Sequence, residues 1–296
     1  MSRPDPPFGP NEASAAGRLL TAALQEDLGT RGDLTSGVTL PAAAVGRVNV
    51  VARQDGVVAG LPIIAAVCER VEKTIEVQTV QDGDPVRPGS VVASLSGNVR
   101  GLLTAERTVL NFLTHLSGIA SLTSRFVAQT AGTSAKILDT RKTLPGWRFL
   151  AKYAVRCGGG VNHRFGLHDM VLIKDNHIAA WRQSHAAHGL HDILTGVRDA
   201  VGGEVPVMVE VDTLQQLEDV LSGRPDYVLL DNMSNAQLRE AVAIRNAAGP
   251  GVQLEASGGV TLETVAGIAE TGVDRISVGA LTHSAPNLDL GFDWHA

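Results

Sequence analysis

Cysteine is nearly absent from this 296-residue chain: Cys68 and Cys157 stand far apart and neither belongs to a CxxC pair. That excludes a disulfide framework and a thiolate zinc site. No run of 18 apolar residues occurs, and no basic stretch followed by an apolar core opens the sequence. Neither a leader nor a membrane-spanning helix is therefore expected, and the default reading is a cytoplasmic enzyme. A basic surplus is lacking too: the net charge is −6, which argues against nucleic acid as the main partner. At 19% charged residues the chain has too little charge for disorder. There is no low-complexity tract and no short-period repeat. Ser117 and Ser257 have no His/Asp relay in sequence, so a serine nucleophile is not indicated. The hairpin-like "DGDPVRPGSVVASLSG" has no lysine at its turn, which speaks against a carrier module.

What is present is apolar material, 44% of residues, and 32 glycines, suiting one large domain or two ordinary ones with many strand-to-helix turns. The first ten residues, "MSRPDPPFGP", read as a loose tail. Residues 11–36 open with an apolar-periodic helix and end in the turn-rich "EDLGTRGDLTS". From about 45 to 100 the pattern is β. A helix is predicted over 101–130, with Leu102, Val109, Leu113, Leu116 and Ala120 on one stripe. After 136, short apolar runs that close on a polar residue ("AKILDTR", "MVLIKDN", "PVMVEVD", "DYVLLDN", "VQLEASGG", "RISVGALTHS") alternate with helical patterns. About six such units imply a parallel sheet forming a barrel or a partial barrel, with its chemistry at the carboxyl ends of the strands. Those ends carry Asp139, Arg141, Lys142, Lys174, Glu210, Asp231, Glu255 and Ser257.

Charge is also unevenly spread. Between Lys136 and His177 eight Lys/Arg face three Asp, a local +5 in an acidic chain. Such a reversal marks an anion site. Arg forks onto carboxylates or phosphates and Lys adds a point charge, so Arg141, His163 and Arg164 with Lys142 and Lys174 would hold a small polyanion. Glu210 and Asp231 each end an apolar strand and offer the oxygens that suit Mg²⁺ beside substrate phosphates. Asp212 in "VDTLQQLEDV" reads as a helix cap. The glycine-rich "EASGGVTLETV" and "ISVGALTHS" would present backbone N–H groups to a phosphate. His185, His188 and His191 have helical spacing but no acidic or Cys partner in sequence, so they read as surface residues, and His168 has no assigned place.

The motifs "EDLGTRGDLTS", "LTAERTVLNFLTHLSGIAS", "DTRKTLPGWRFLAKYAVRCGGGVNHR", "LIKDNHI", "VEVDT", "LLDNM", "EASGGV" and "GVDRISVGALTHSAPNLDLGFD" run in order from about residue 18 to 294. Together they resemble the quinolinate phosphoribosyltransferase family, the carboxylating nicotinate-nucleotide pyrophosphorylases of NAD synthesis. The resemblance implies an α/β fold of the type II phosphoribosyltransferase kind. An N-terminal α/β open sandwich (1–116, with the tail 285–296 returning to it) would precede an incomplete α/β barrel (117–284). It implies quinolinate and phosphoribosyl pyrophosphate as substrates, Mg²⁺ as cofactor, and a homodimer or higher assembly with shared active sites. Arg141, His163, Arg164 and Lys174 would hold quinolinate, with Lys142 beside them and Arg107 reaching in from the neighbour. Lys142, Lys174, Glu210 and Asp231 would serve the ribose, the diphosphate and Mg²⁺, and Ser257, Gly258, Gly279 and His283 the phosphates. Lys142, Glu210 and Asp231 would be catalytic. The chain departs from the family pattern at Trp147, Trp181 and "WRQSHAAHGLHDILTG".

Overall fold

Two hydrophobic patterns govern the chain: alternation with polar residues before residue 98, and near-continuous apolar strands after 136. A computed structural model describes residues 7–184, 189–249 and 251–295. The first stretch holds α1 (Pro10–Leu28), α2 (Leu34–Thr39), β1 (Val45–Ala52), β2 (Gly56–Val57), α3 (Pro62–Val71), β3 (Glu76–Thr79), β4 (Pro85–Val86), β5 (Val91–Asn98) and α4 (Val99–Gln129). Next come β6 (Lys136–Leu138), α5 (Arg148–Cys157), β7 (Val171–Ile173), α6 (Asp175–Arg182), α7 (Leu190–Val201), β8 (Val207–Val211) and α8 (Leu214–Ser222). The last are β9 (Tyr227–Asp231), α9 (Asn235–Ala248), β10 (Gln253–Ser257), α10 (Val265–Ala269), β11 (Arg275–Ser277), α11 (Ala280–His283) and β12 (Leu290–His295).

One compact unit comprises residues 1–124, 142–160 and 280–296. Its four-stranded antiparallel sheet runs β12-β1-β5-β3. The C-terminal strand pairs antiparallel with β1, from Ala52 with Leu290 through to Arg47 with His295. Val48, Val50 and Leu95 are buried, while Asn49 and Ser94 share a hydrogen bond of 2.7 Å. The α4 stripe of Leu102, Val109, Leu113, Leu116 and Ala120 is buried as expected. Gly118 marks where the returning tail crosses α4: a Cβ there would stand 2.1 Å from the Pro286 carbonyl oxygen.

Three expectations change in this unit. Residues 62–71 are helical, not β: Pro62 occupies the first turn and Ile63, Ile64, Val67 and Cys68 form the buried face. The Asp82 carboxylate accepts from the N–H groups of Gly60 and Leu61 at 3.0 and 3.1 Å and from the Tyr153 hydroxyl at 2.6 Å. The tail is not loose at Phe8, whose ring packs edge-on against Tyr153 with centroids 5.1 Å apart. The boundaries move as well. Helix α4 is continuous through residue 116, and residues 142–160 and 280–284 belong with this unit because α5 packs on α1.

The other unit comprises residues 125–141 and 161–279. Its six-stranded parallel sheet has the order β6-β11-β10-β9-β8-β7. Strands β6 and β7 do not pair among the described residues, so the sheet stays open, an incomplete barrel. Register fixes its faces. Glu210 pairs with Leu229, Leu229 with Glu255, and Glu255 with Arg275, and partners across a parallel ladder point the same way. Leu229 packs with Met170 and Met208 in an apolar cluster, so Glu210, Glu255 and Arg275 share that cluster's face. Val209, Leu230, Leu254 and Ile276 are buried on the other face, the side on which the helices pack.

A repeated unit emerges that the sequence reading did not find. At the end of α7, Arg198 donates to the Val205 carbonyl (3.3 Å) and to Asp226 (2.6 Å), whose carboxylate also accepts from Val207 N (2.7 Å). At the end of α9, Arg245 donates to the Val252 carbonyl (2.9 Å) and to Asp274 (2.7 Å), which accepts from Leu254 N (2.8 Å). Arg, carbonyl and N–H recur after 47 residues and the Asp after 48. Each clamp ties the end of a helix to the beginnings of two adjacent strands.

Candidate active site

The sequence-predicted residues of the second unit gather at the carboxyl ends of its strands. Lys174, just after β7, makes a salt bridge to Glu210 of β8. Asp231, ending β9, is in register with Ser257, ending β10. Beyond Ser257 the backbone turns through Gly258 (φ +99°) and Gly259 (φ +58°). A Cβ at Gly258 would stand 2.1 Å from Asn232 Oδ1, so only glycine fits this turn. Helix α10 starts at Val265, after a turn, and not directly at the glycine pair.

The cationic motif is built from β6 and the segment after it. Asp139 is fully buried and accepts from His163 N at 2.9 Å and from Asn162 Nδ2 at 2.5 Å. His163 Nδ1 in turn accepts from Arg164 N at 2.7 Å. The Arg164 guanidinium, 9% exposed as a residue, donates to the Met170 carbonyl at 3.1 Å. Asp169 closes the intervening loop by accepting from Phe165 N and Gly166 N at 2.6 and 2.8 Å. Burial and the nearby charge of Arg141 both press the Arg164 pKa down. Two guanidinium groups are thus held close enough to repel in a partly desolvated place.

In the first unit, Lys142 is exposed, and the buried Thr282 hydroxyl of α11 donates to its carbonyl at 2.7 Å. That bond ties the Lys142 loop to the turn bearing His283, whose Nδ1 lies 2.6 Å from Ser284 Oγ. Trp147 closes the same loop, stacked on Phe112 (centroids 4.9 Å) and edge-on to His115 (5.2 Å). Arg107 is exposed on α4.

Several sequence expectations are corrected. The cap of α8 is Thr213, which accepts from Gln216 N at 3.2 Å; it is not Asp212. His191 does have acidic partners, Asp219 at 3.4 Å and Asp192 at 3.3 Å, while His185 and His188 lie outside the described residues. Part of the +5 cluster is structural, because Arg156 pairs with Glu12 at 2.8 Å. His168 sits against Gly166, beside Asp169. Asp169, Asn232 and Thr282 were missed. Only their places next to the motif residues could have flagged them.

The sequence matches two family models: quinolinate phosphoribosyl transferase, N-terminal domain, over residues 33–117, and the C-terminal domain over 119–293. The chain belongs to the quinolinate phosphoribosyltransferase family. It is 46% identical over 285 residues to the nicotinate-nucleotide pyrophosphorylase [carboxylating] of Mycobacterium leprae, covering 95% of this chain and 98% of that one. It is 40% identical to a mitochondrial quinolinate phosphoribosyltransferase [decarboxylating] of Nicotiana tabacum, covering 92% and 80%. The solved nicotinate-nucleotide pyrophosphorylase of Francisella tularensis superimposes with a TM-score of 0.88 at 37% identity, covering 95% and 96%. No helix among the described residues is long and apolar enough to cross a membrane.

Proposed function

We propose that the protein transfers the phosphoribosyl group of phosphoribosyl pyrophosphate to quinolinate, releasing pyrophosphate and CO₂ and giving nicotinate mononucleotide for NAD synthesis. The observation that carries this reading is the buried Arg164 guanidinium, anchored on the Met170 carbonyl beside the buried Asp139–His163 contact, with the charge of Arg141 nearby. Like charges packed in low dielectric are relieved by a bound dianion, and Arg forks match carboxylates. Lys174, just after β7 and paired with Glu210, is a further cation at the strand ends of the same sheet.

In the reaction the bond from ribose C1 to the diphosphate oxygen breaks, its electron pair leaving with pyrophosphate. The pyridine nitrogen lone pair then closes onto C1. The positive ring nitrogen makes the C2 carboxylate leave as CO₂, and its electron pair at C2 takes up a proton. No protein nucleophile is required. Glu210 and Asp231 stabilise positive charge on the ribose, and the Ser257–Gly258 turn and Gly279 offer donors to phosphate oxygens. Lys142 and His283 serve the diphosphate by family resemblance.

The oxygens of Glu210 and Asp231 fit Mg²⁺ as a pair completed by substrate phosphates; among the described residues no cluster of three or more His, Cys, Asp or Glu forms an all-protein cage. Bound there, Mg²⁺ supplies charge neutralisation of the diphosphate. We further assign a homodimer in which Arg107 enters the neighbour's site, and a cytoplasmic location. The test is incubation of quinolinate, phosphoribosyl pyrophosphate and Mg²⁺ with analysis for nicotinate mononucleotide and CO₂. Nicotinate should not replace quinolinate, since a site built for two carboxylates is left unsatisfied by one. Equal turnover of nicotinate refutes the reading.

A further inference from the structure

Glu255 is a carboxylate with no solvent exposure in the middle of a sheet face. In the repeated unit its counterpart, 47 residues earlier, is Met208. The scaffold therefore does not need a charge at this position. Burying one costs several kcal/mol unless it is compensated. Compensation comes from two sides: Arg275 Nε donates to Oε2 at 2.8 Å, and His163 Nε2 stands 3.3 Å from Oε1. The second contact is the looser one, since no aligned hydrogen bond reaches Oε1. Arg275 is itself fixed, with its guanidinium 4.5 Å above the Tyr227 ring.

The other edge of the imidazole decides its protonation. His163 Nδ1 accepts from Arg164 N at 2.7 Å, so that nitrogen carries a lone pair and the ring's proton sits on Nε2. The ring is then a neutral imidazole with both nitrogens turned to protein groups. A cationic ligand for quinolinate, as the family resemblance implied for His163, would need a free N–H edge. Glu255 from β10 and the N–H of Arg164 face the ring, with Arg275 of β11 behind Glu255, while Asp139 after β6 holds the His163 backbone N–H.

We propose that Glu255 is a positioning residue of the anion site: it orients the His163 ring, which fixes the backbone of Arg164 and so aims its guanidinium. His163 serves Arg164 and does not bind substrate as a cation. This rests on the reading of the Arg141–Arg164 pair as the quinolinate site.

The test uses the intact chain and measures quinolinate affinity by calorimetry, with KM for both substrates. The variants are Glu255→Gln, the double variant Glu255→Gln/Arg275→Met, and His163→Asn. The double variant removes both buried charges and so guards against misfolding from an uncompensated Arg275. Misaiming Arg164 should raise the quinolinate KM about tenfold or more in both Glu255 variants, with the KM for phosphoribosyl pyrophosphate within about twofold of wild type. His163→Asn should weaken quinolinate binding in the same direction as the Glu255 variants. A folded Glu255 variant with wild-type quinolinate affinity overturns the proposal. Wild-type turnover of quinolinate checks the reaction separately: should it fail, binding of quinolinate as a bare dianion still decides the role of Glu255.

Discussion

Replacing Arg245 by Met removes one clamp of the repeated unit while keeping most of the apolar stem. The side chain is 9% exposed and its partner Asp274 is 31% exposed. Three hydrogen bonds go, to Asn246 Oδ1 at 2.8 Å, the Val252 carbonyl at 2.9 Å and Asp274 at 2.7 Å, and Asp274 keeps its bond from Leu254 N. Breaking a buried pair from one side costs about 3–5 kcal/mol, and the half-open Asp274 places this case near about 3 kcal/mol. The equivalent Arg198→Met acts on a pair exposed to 28% and 42%, so screening reduces its cost to about 1 kcal/mol. Urea unfolding of the two variants, followed by circular dichroism, measures the difference directly. Both clamps sit where strands begin, at the opposite end from the site, so kcat of the folded variants should be unchanged. An Arg198 variant as destabilised as the Arg245 variant would refute the argument that burial sets the value of each clamp.

Acid should unfold the protein partly through Glu255. Burial alone would raise its pKa, yet the neighbouring His163 and the charge and hydrogen bond of Arg275 hold it below the ordinary 4.5. A folded pKa below the unfolded one contributes stability that is complete above about 4.5 and is lost as pH falls through the folded value. Acid titration of Glu255→Gln should therefore show a shallower loss than wild type; an identical curve refutes it. Glu210→Gln and Asp231→Asn should lower kcat about 100-fold or more while quinolinate affinity stays within a few-fold, as expected of groups acting on the ribose. A collapse of quinolinate affinity in calorimetry reverses that assignment. Arg107→Ala and Lys142→Ala proteins should each be nearly inactive, and their mixture should recover up to about half the wild-type activity per heterodimer through one intact site. Subunit exchange confirmed by mass without returning activity assigns Arg107 to its own subunit or to none.

Much of the architecture was legible because it rests on local periodicity. The α4 stripe and the apolar runs of the parallel strands announce themselves residue by residue, and so do the polar residues that close each run. Helix α3 was not legible. "PIIAAVCERV" lies among β-rich segments, and its helical start depends on Asp82, about 20 residues further on. The cap of α8 was misread by one position, because Asp212 and Thr213 are both good capping types and only backbone geometry separates them. At the site, residue types singled out Arg141, His163 and Arg164 as a group, but they could not say how each member is held. His163 looked like one more cation until the Arg164 N–H was found on its Nδ1. Hydrogen-bond direction is not written in composition.

The repeat shows how one scaffold carries two kinds of chemistry. Glu210 and Ser257 occupy equivalent positions in successive units, as do Asp231 and Gly279. The clamps put each pair at matching heights above the strand beginnings, so the first unit brings two carboxylates to the strand ends and the second brings a hydroxyl and a glycine. Carboxylates there suit a sugar that becomes positive; neutral donors suit phosphate oxygens that stay negative. The same logic singles out Glu255. Its counterpart Met208 belongs to the apolar cluster, so the second unit gave up an apolar contact for a buried charge. A local rule broken in one copy and kept in the other points to function at the site where it is broken. Here that site is the carboxylate behind His163, two residues before Ser257 in the same strand.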